Sequence, residues 1–207
     1  MNSTKKTARV AGLLWLLTAV TAGFALIYVR PKLIVFGDPA ATASNIIAFE
    51  SLFRAAIAGY ILSQIFALFF GLTIFRLFKG VHKTLATVFL TSLLVSAGVG
   101  VVNSFNNLGA LVVLTNPVYL KAFAPEQING LAMIFLRVNN FGIGLMELFT
   151  ALYMISFGLL ILRSGYLPRV LGILIIVGAC AFPINTFCQN SDSAILSCVD
   201  DAFNYAP

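Results

Sequence analysis

Thr84–Leu120 reads TLATVFLTSLLVSAGVGVVNSFNNLGALVVLTNPVYL and holds no Asp, Glu, Lys, Arg or His. About 20 apolar residues in an α-helix cross roughly 30 Å of hydrocarbon, so this stretch exceeds what one crossing needs. An asparagine cluster, Asn103, Asn106 and Asn107, interrupts it. The outer membrane boundary is expected near that cluster, which closes a span over residues 84–103. Leu108–Leu114 would then extend beyond the bilayer or fold back along its surface. Asn116-Pro117 and Ala124-Pro125 mark the turn that follows.

The same pattern repeats on both sides. Val10–Val29, Ala55–Phe75, Val138–Leu162 and Val170–Phe187 are apolar runs that contain one carboxylate between them, Glu147. In lipid every backbone polar group needs an internal partner, so these runs should be helices. Hydrophobic residues make up 60% of the 207-residue chain, more than a soluble core could hide. The expected fold is all-α: a polytopic transmembrane helical bundle of five spans, over residues 10–29, 55–75, 84–103, 140–162 and 170–187. These form one domain over 1–187, followed by a polar, acidic tail over 188–207.

Between the first two spans the punctuation is explicit. Pro31, in Arg30-Pro31-Lys32, should stop the first helix. Asp38 is the expected N-cap of a new helix, with Pro39 at its first position. Ala40–Phe53 then reads as an amphipathic helix lying in the interface, with Ile46, Ile47, Phe49 and Phe53 on its apolar side. Glu50 and Arg54 stand four apart and can pair. Pro183 is expected to kink the end of the fifth span.

Charge excludes some functions and sets an orientation. The net charge of +6 comes from basic residues split among short loops, without the clustered face that a nucleic-acid binder needs. Lys5, Lys6, Arg9, Arg76, Lys79, Lys83, Arg163 and Arg169 fall on one side. Arg30, Lys32, Arg54, Lys121 and Arg137 fall on the other. The bias of eight against five places the N-terminus in the cytoplasm and the C-terminus outside, in a cell inner (plasma) membrane. Lys5, Lys6 and Arg9 precede an apolar run longer than a signal peptide's, so a retained first span is expected.

Few residues could carry chemistry. Cys180 reads as a small apolar residue in a span, while Cys188 and Cys198 are either a disulfide or two free thiols. The lone histidine, His82, sits in a basic loop, far from all three. There is no nucleophile elbow, zinc-binding helix or phosphate loop, and Gly142-Ile143-Gly144 lacks the rest of a dinucleotide fingerprint. No catalytic residue, metal site or cofactor is expected.

Glu147 stands out because a carboxylate inside a span is costly and by default a functional-site hypothesis. Counted from Leu162 it lies about 22 Å up the fourth span. Arg137, Asn140, Gly144, Glu147, Ala151 and Gly158 share one helical stripe. Ser92, Ser96, Gly100, Asn103 and Asn107 form another on the third span. Stripes of small and polar residues mark faces that pack on other helices. Antiparallel packing of these two spans would gather Asn103, Asn106, Asn107, Arg137, Asn139 and Asn140 near the outer interface. Two readings stay open for this cluster: hydrogen-bonded glue between helices, or an outward-facing pocket for a lipid headgroup or small polar ligand. Gln64, mid-span, reads as glue.

Three segments resemble one family: Ala8-Arg9-Val10-Ala11-Gly12-Leu13-Leu14-Trp15-Leu16-Leu17-Thr18-Ala19, Gly37-Asp38-Pro39-Ala40-Ala41-Thr42-Ala43, and Arg163-Ser164-Gly165-Tyr166-Leu167-Pro168-Arg169-Val170-Leu171-Gly172. The resemblance covers roughly residues 8–187 and is to a bacterial membrane family catalogued as domain of unknown function, DUF four-three-eight-six. It implies a small polytopic membrane protein and assigns no activity. Members continue into a sixth hydrophobic span, whereas here a polar stretch follows the fifth.

The functional expectation is a non-enzymatic binding or accessory protein, with the candidate ligand or coupling residues Glu147, Asn103, Asn107, Arg137 and Asn140. The alternative is a small transporter with Glu147 as a protonatable coupling site. The expected partners are the lipid bilayer and a lipid or small polar ligand, with homo-oligomer formation left open.

Overall fold

A backbone without water must bond to itself, and the chain meets that demand with helices. The computed structural model describes residues 2–115 and 123–183. α1 (Asn2–Gly23) passes into a π-helical turn (Phe24–Val29) and on into α2 (Arg30–Leu33). α3 (Pro39–Ala48), α4 (Glu50–Phe78), α5 (Lys83–Thr115) and α6 (Pro125–Ser164) follow, then a shorter apolar helix, α7 (Arg169–Pro183). Among the described residues there is no strand.

Four segments are long and apolar enough to cross a membrane: Lys5–Leu33, Glu50–Phe78, Lys83–Thr115 and Pro125–Ser164. α7 reaches only about 22 Å at the helical rise. The end of the expected fifth span lies outside the described residues, as do Cys188, Cys198 and the Asn116-Pro117 turn. Large apolar side chains face outward along the bundle, among them Ile27 at 79% exposure and Phe105 at 65%. Such a surface is untenable in water and natural against lipid.

Pro31 does not stop the first helix, because the turn before it widens. The Arg30 N–H bonds to the Ala25 carbonyl five residues back, and the Ile34 N–H returns to the ordinary register on Arg30. Proline lacks an N–H, and its ring would press on the carbonyl four residues earlier. The π turn absorbs both demands and carries the helix on to Leu33.

Asp38 caps α3 as expected: its Oδ1 accepts the Ala41 N–H at 2.9 Å, with Pro39 in the first turn. The Thr42 hydroxyl locks the preceding loop, accepting from the Val35 N–H and donating to the Val35 carbonyl. The expected amphipathic helix over 40–53 is not one unit, since Phe49 leaves helical geometry and α4 restarts at Glu50. The Glu50–Arg54 pair forms at 2.7 Å, but on the first turns of α4. Ile46 and Phe53 are buried while Ile47 and Phe49 are exposed, so α3 packs onto α6 and α5 through Ile46.

The helix of the third run does not end at the asparagines. α5 is 33 residues long and runs straight through Asn103 to Thr115. Its partner α6 is 40 residues long and begins at Pro125, well before the start expected for the fourth span at residue 140. The asparagine cluster is therefore interior to a helical hairpin. Two buried clusters fill the bundle. One, at the end of the bundle where α3 packs, joins Val29, Leu33, Ile46, Phe53, Leu111 and Leu136. The other is aromatic and lies towards the opposite end, with Phe70, Phe78 and Phe89 around Phe157.

α7 turns back onto α6 after Gly165, whose φ of 65° suits glycine. The two helices touch backbone to backbone at Gly158 and Gly172. A Cβ on Gly158 would lie 2.8 Å from the Gly172 carbonyl oxygen and 2.5 Å from Ile176 Cγ1. Gly158→Ala should therefore lower stability by about 1–3 kcal/mol. Gly98→Ala, which meets nothing within 4 Å, should cost nothing. Thermal unfolding in detergent compares the two, and an equal effect would refute the close α6–α7 contact.

Candidate functional site

Small residues on the seam between α5 and α6 let polar groups of the two helices meet. The Ser96 and Thr150 hydroxyls are 3.0 Å apart. One turn further out, Gly100 makes room for the Met146 sulfur, the Tyr60 hydroxyl and the Gln64 amide. Next comes a reciprocal clasp. Asn103 Nδ2 donates to the Asn139 carbonyl at 2.8 Å, and Asn139 Nδ2 donates to the Asn103 carbonyl at 3.1 Å. Asn106 Nδ2 completes it by donating to Asn103 Oδ1 at 2.9 Å. Gly142 is required beneath, since a Cβ there would strike the Asn103 amide.

Beside the clasp a cleft opens between the π turn, α4, α5 and α6. It encloses about 470 Å³ counting its mouth. Ala25, Leu26, Val29, Ile34, Phe53, Ala56, Ile57 and Ile143 make it mainly apolar. Four polar side chains line it as well: Arg30, Tyr60, Asn107 and Asn139. Mainly apolar walls with a few convergent polar groups are the usual composition of a ligand site. π turns also concentrate at functional positions, and this one forms a wall of the cleft.

The polar groups are incompletely engaged. The half-buried Arg30 guanidinium has no ion pair or hydrogen bond among the described residues. Nor does the Asn107 amide have a hydrogen bond there. Tyr60, 7% exposed, donates its hydroxyl to Met146 Sδ at 3.1 Å, and a thioether is a weak acceptor. An anionic oxygen would give all three a stronger partner.

The candidates read from the sequence separate here. Asn107 lines the cleft and Asn103 forms the clasp at its edge. Asn140 is half-buried and outside the lining, and Arg137 is exposed. The clasp residue on α6 is Asn139, on a stripe with Met146, Thr150 and Phe157. Glu147, half-buried, is about 100° further round the helix, on the stripe of Ala151 and Gly158 that turns to α7. It is not part of the cleft lining. Gln64 Nε2 donates to the Ser63 hydroxyl within α4.

Arg30 and Tyr60 are the residues that sequence reasoning missed. Arg30 reads as a loop cation once Pro31 is taken as a helix stop. Tyr60 offers no signal in an apolar span except its hydroxyl, which needs a partner when buried.

A model of the family described as Domain of unknown function (DUF4386) matches residues 10–201. No curated protein and no solved structure matches the chain.

Interhelical hydrogen bonds in membranes contribute about 0.6 kcal/mol on average and up to about 1.7. Asn103→Ala should therefore cost about 1–2 kcal/mol, because it removes one donor and strands Asn106. Adding Asn139→Ala should cost about the sum of the single changes, since each amide bonds the other residue's backbone carbonyl, which alanine keeps. A double-mutant cycle on unfolding in detergent checks this, and no loss of stability in either single variant would contradict the geometry.

Proposed function

The chain belongs to the DUF4386 family, a domain of unknown function, and on that footing we propose that it is a membrane protein that binds an anionic amphiphile in the outer cleft. Its helices have the length and apolar surface of a membrane protein. The observation that carries the proposal is Arg30. A guanidinium in a mainly apolar cleft, without a carboxylate partner among the described residues, is costly unless an anion from outside completes it. Tyr60 and Asn107 supply further donors to the same head group. Ile34, Phe53 and Ile57 suit an acyl chain or another apolar tail.

The wider reading is a non-enzymatic binding or accessory protein of the bacterial inner membrane. α7 would serve as the start of a fifth span, with the N-terminus cytoplasmic and the C-terminus external. Eight basic residues against five support that orientation. The rival transporter reading needs Glu147 on the ligand's path, and Glu147 is absent from the cleft lining.

Mass spectrometry of molecules that co-purify with the protein tests the proposal. Arg30→Gln should reduce the bound anionic amphiphile by about tenfold or more, the value of a charged hydrogen bond. Tyr60→Phe should reduce it less. Arg54→Gln, which loses only the Glu50 pair, should leave it unchanged. Retained binding in Arg30→Gln would refute the cleft assignment. For the rival, Glu147→Gln should leave both cleft binding and proteoliposome flux unchanged, and a loss of flux would restore it.

A further inference from the structure

The end of the bundle opposite the cleft gathers charge of one sign. α1, α5 and α7 begin there, and α4 and α6 end there. Lys5, Lys6, Arg9, Arg76, Lys79, Lys83, Arg163 and Arg169 all belong to that end. None of the described carboxylates does. Asp38, Glu50 and Glu126 lie at the other end, and Glu147 is about 25 Å along α6 from Ser164.

Scattered basic residues would be enough to orient the protein. Here three of them converge on one open concavity of about 1160 Å³ counting its mouth, between the start of α1 and the end of α4. Lys6 contributes from α1, Arg76 from the last turn of α4 and Lys79 from its C-cap. Tyr166, on the turn between α6 and α7, closes the wall and is held there by its ring contact with Phe78 at 5.9 Å. None of the three cations has a carboxylate partner among the described residues. All three are exposed, and an anion lying in the concavity they line is attracted by each of them. Two ammonium groups, a guanidinium and a phenol offer donors suited to phosphate oxygens. At the end of a membrane-length bundle these donors stand at headgroup depth, where basic pockets between helices take phosphorylated lipid heads.

We propose that Lys6, Arg76, Lys79 and Tyr166 form a second binding site, for a phosphate-bearing anion, at the end of the bundle away from the cleft. Both a phospholipid headgroup and a free phosphate share this chemistry, and the experiment separates them.

The full chain is placed in phosphatidylcholine nanodiscs containing a minor share of phosphatidylglycerol, and retained lipids are counted by native mass spectrometry. In parallel, inorganic phosphate is titrated onto the protein in lipid-free detergent. Enrichment of phosphatidylglycerol identifies the lipid headgroup as occupant, and saturable phosphate binding in detergent identifies the free ion. In either arm Lys6→Gln/Arg76→Gln/Lys79→Gln should lower occupancy about tenfold or more. Lys6→Arg/Arg76→Lys/Lys79→Arg should preserve it, which separates charge from fold. Arg30→Gln, in the other cleft, should leave it unchanged, so the two sites stand or fall separately. No binding by the wild-type protein in either arm, or undiminished binding by the neutral triple variant, would overturn the proposal.

Discussion

Lipid tails are as apolar as leucine, so helices in a membrane gain little by burying apolar faces against each other. What holds α5 against α6 must therefore be directional, and the clasp between Asn103 and Asn139 supplies the direction. Each amide donates to the backbone carbonyl beside the other. A slip of one residue would break both bonds at once, so the clasp sets register as well as affinity. Gly100 and Gly142 allow the backbones close enough for it to form. From that register follows the rest of this half of the bundle. Met146 comes under the Tyr60 hydroxyl, and Asn107 and Asn139 come to one wall of a cleft.

The opposite wall depends on a local conflict. A proline inside a helix asks for a break, yet the chain stays helical from Phe24 through Pro31 to Leu33. The π turn satisfies both constraints and keeps Arg30 on the bundle, where a broken helix would release it into a loop. Local rules fail most often at functional or strained positions, and this failure falls beside a half-buried cation, Arg30, that has no ion pair among the described residues.

Much of the architecture was legible in the sequence because the cost of burying charge is large and local. The absence of charge between Lys83 and Lys121 dictates a helix without reference to any neighbour. The Asp38-Pro39 start of α3 was equally local, since an N-cap needs only its own first turn. The site was less legible because it depends on which face meets which helix. α6 carries two stripes of small and polar residues about 100° apart. One holds Asn139, Met146 and Thr150 against α5, and the other holds Glu147, Ala151 and Gly158 towards α7. Periodicity finds both stripes but does not name their partners. Asn107 lines the cleft and Asn103 forms the clasp, whereas Arg137 stands two residues from Asn139, which makes the contact. The ends of α5 and α6 were hidden for a similar reason. Asparagines suggest a boundary until another helix supplies their hydrogen bonds.

The separation of charge along the bundle makes the molecule an electric dipole on the scale of the membrane. Moving one elementary charge through the full transmembrane potential costs about 2.3 kcal/mol per 100 mV. Eight basic residues stand at one end, whereas at the other Arg30, Lys32, Arg54 and Arg137 are offset by three of the four described carboxylates, so a membrane potential acts on the helical body with a torque. A potential negative at the basic end favours this arrangement of charge, and one of the opposite sign opposes it.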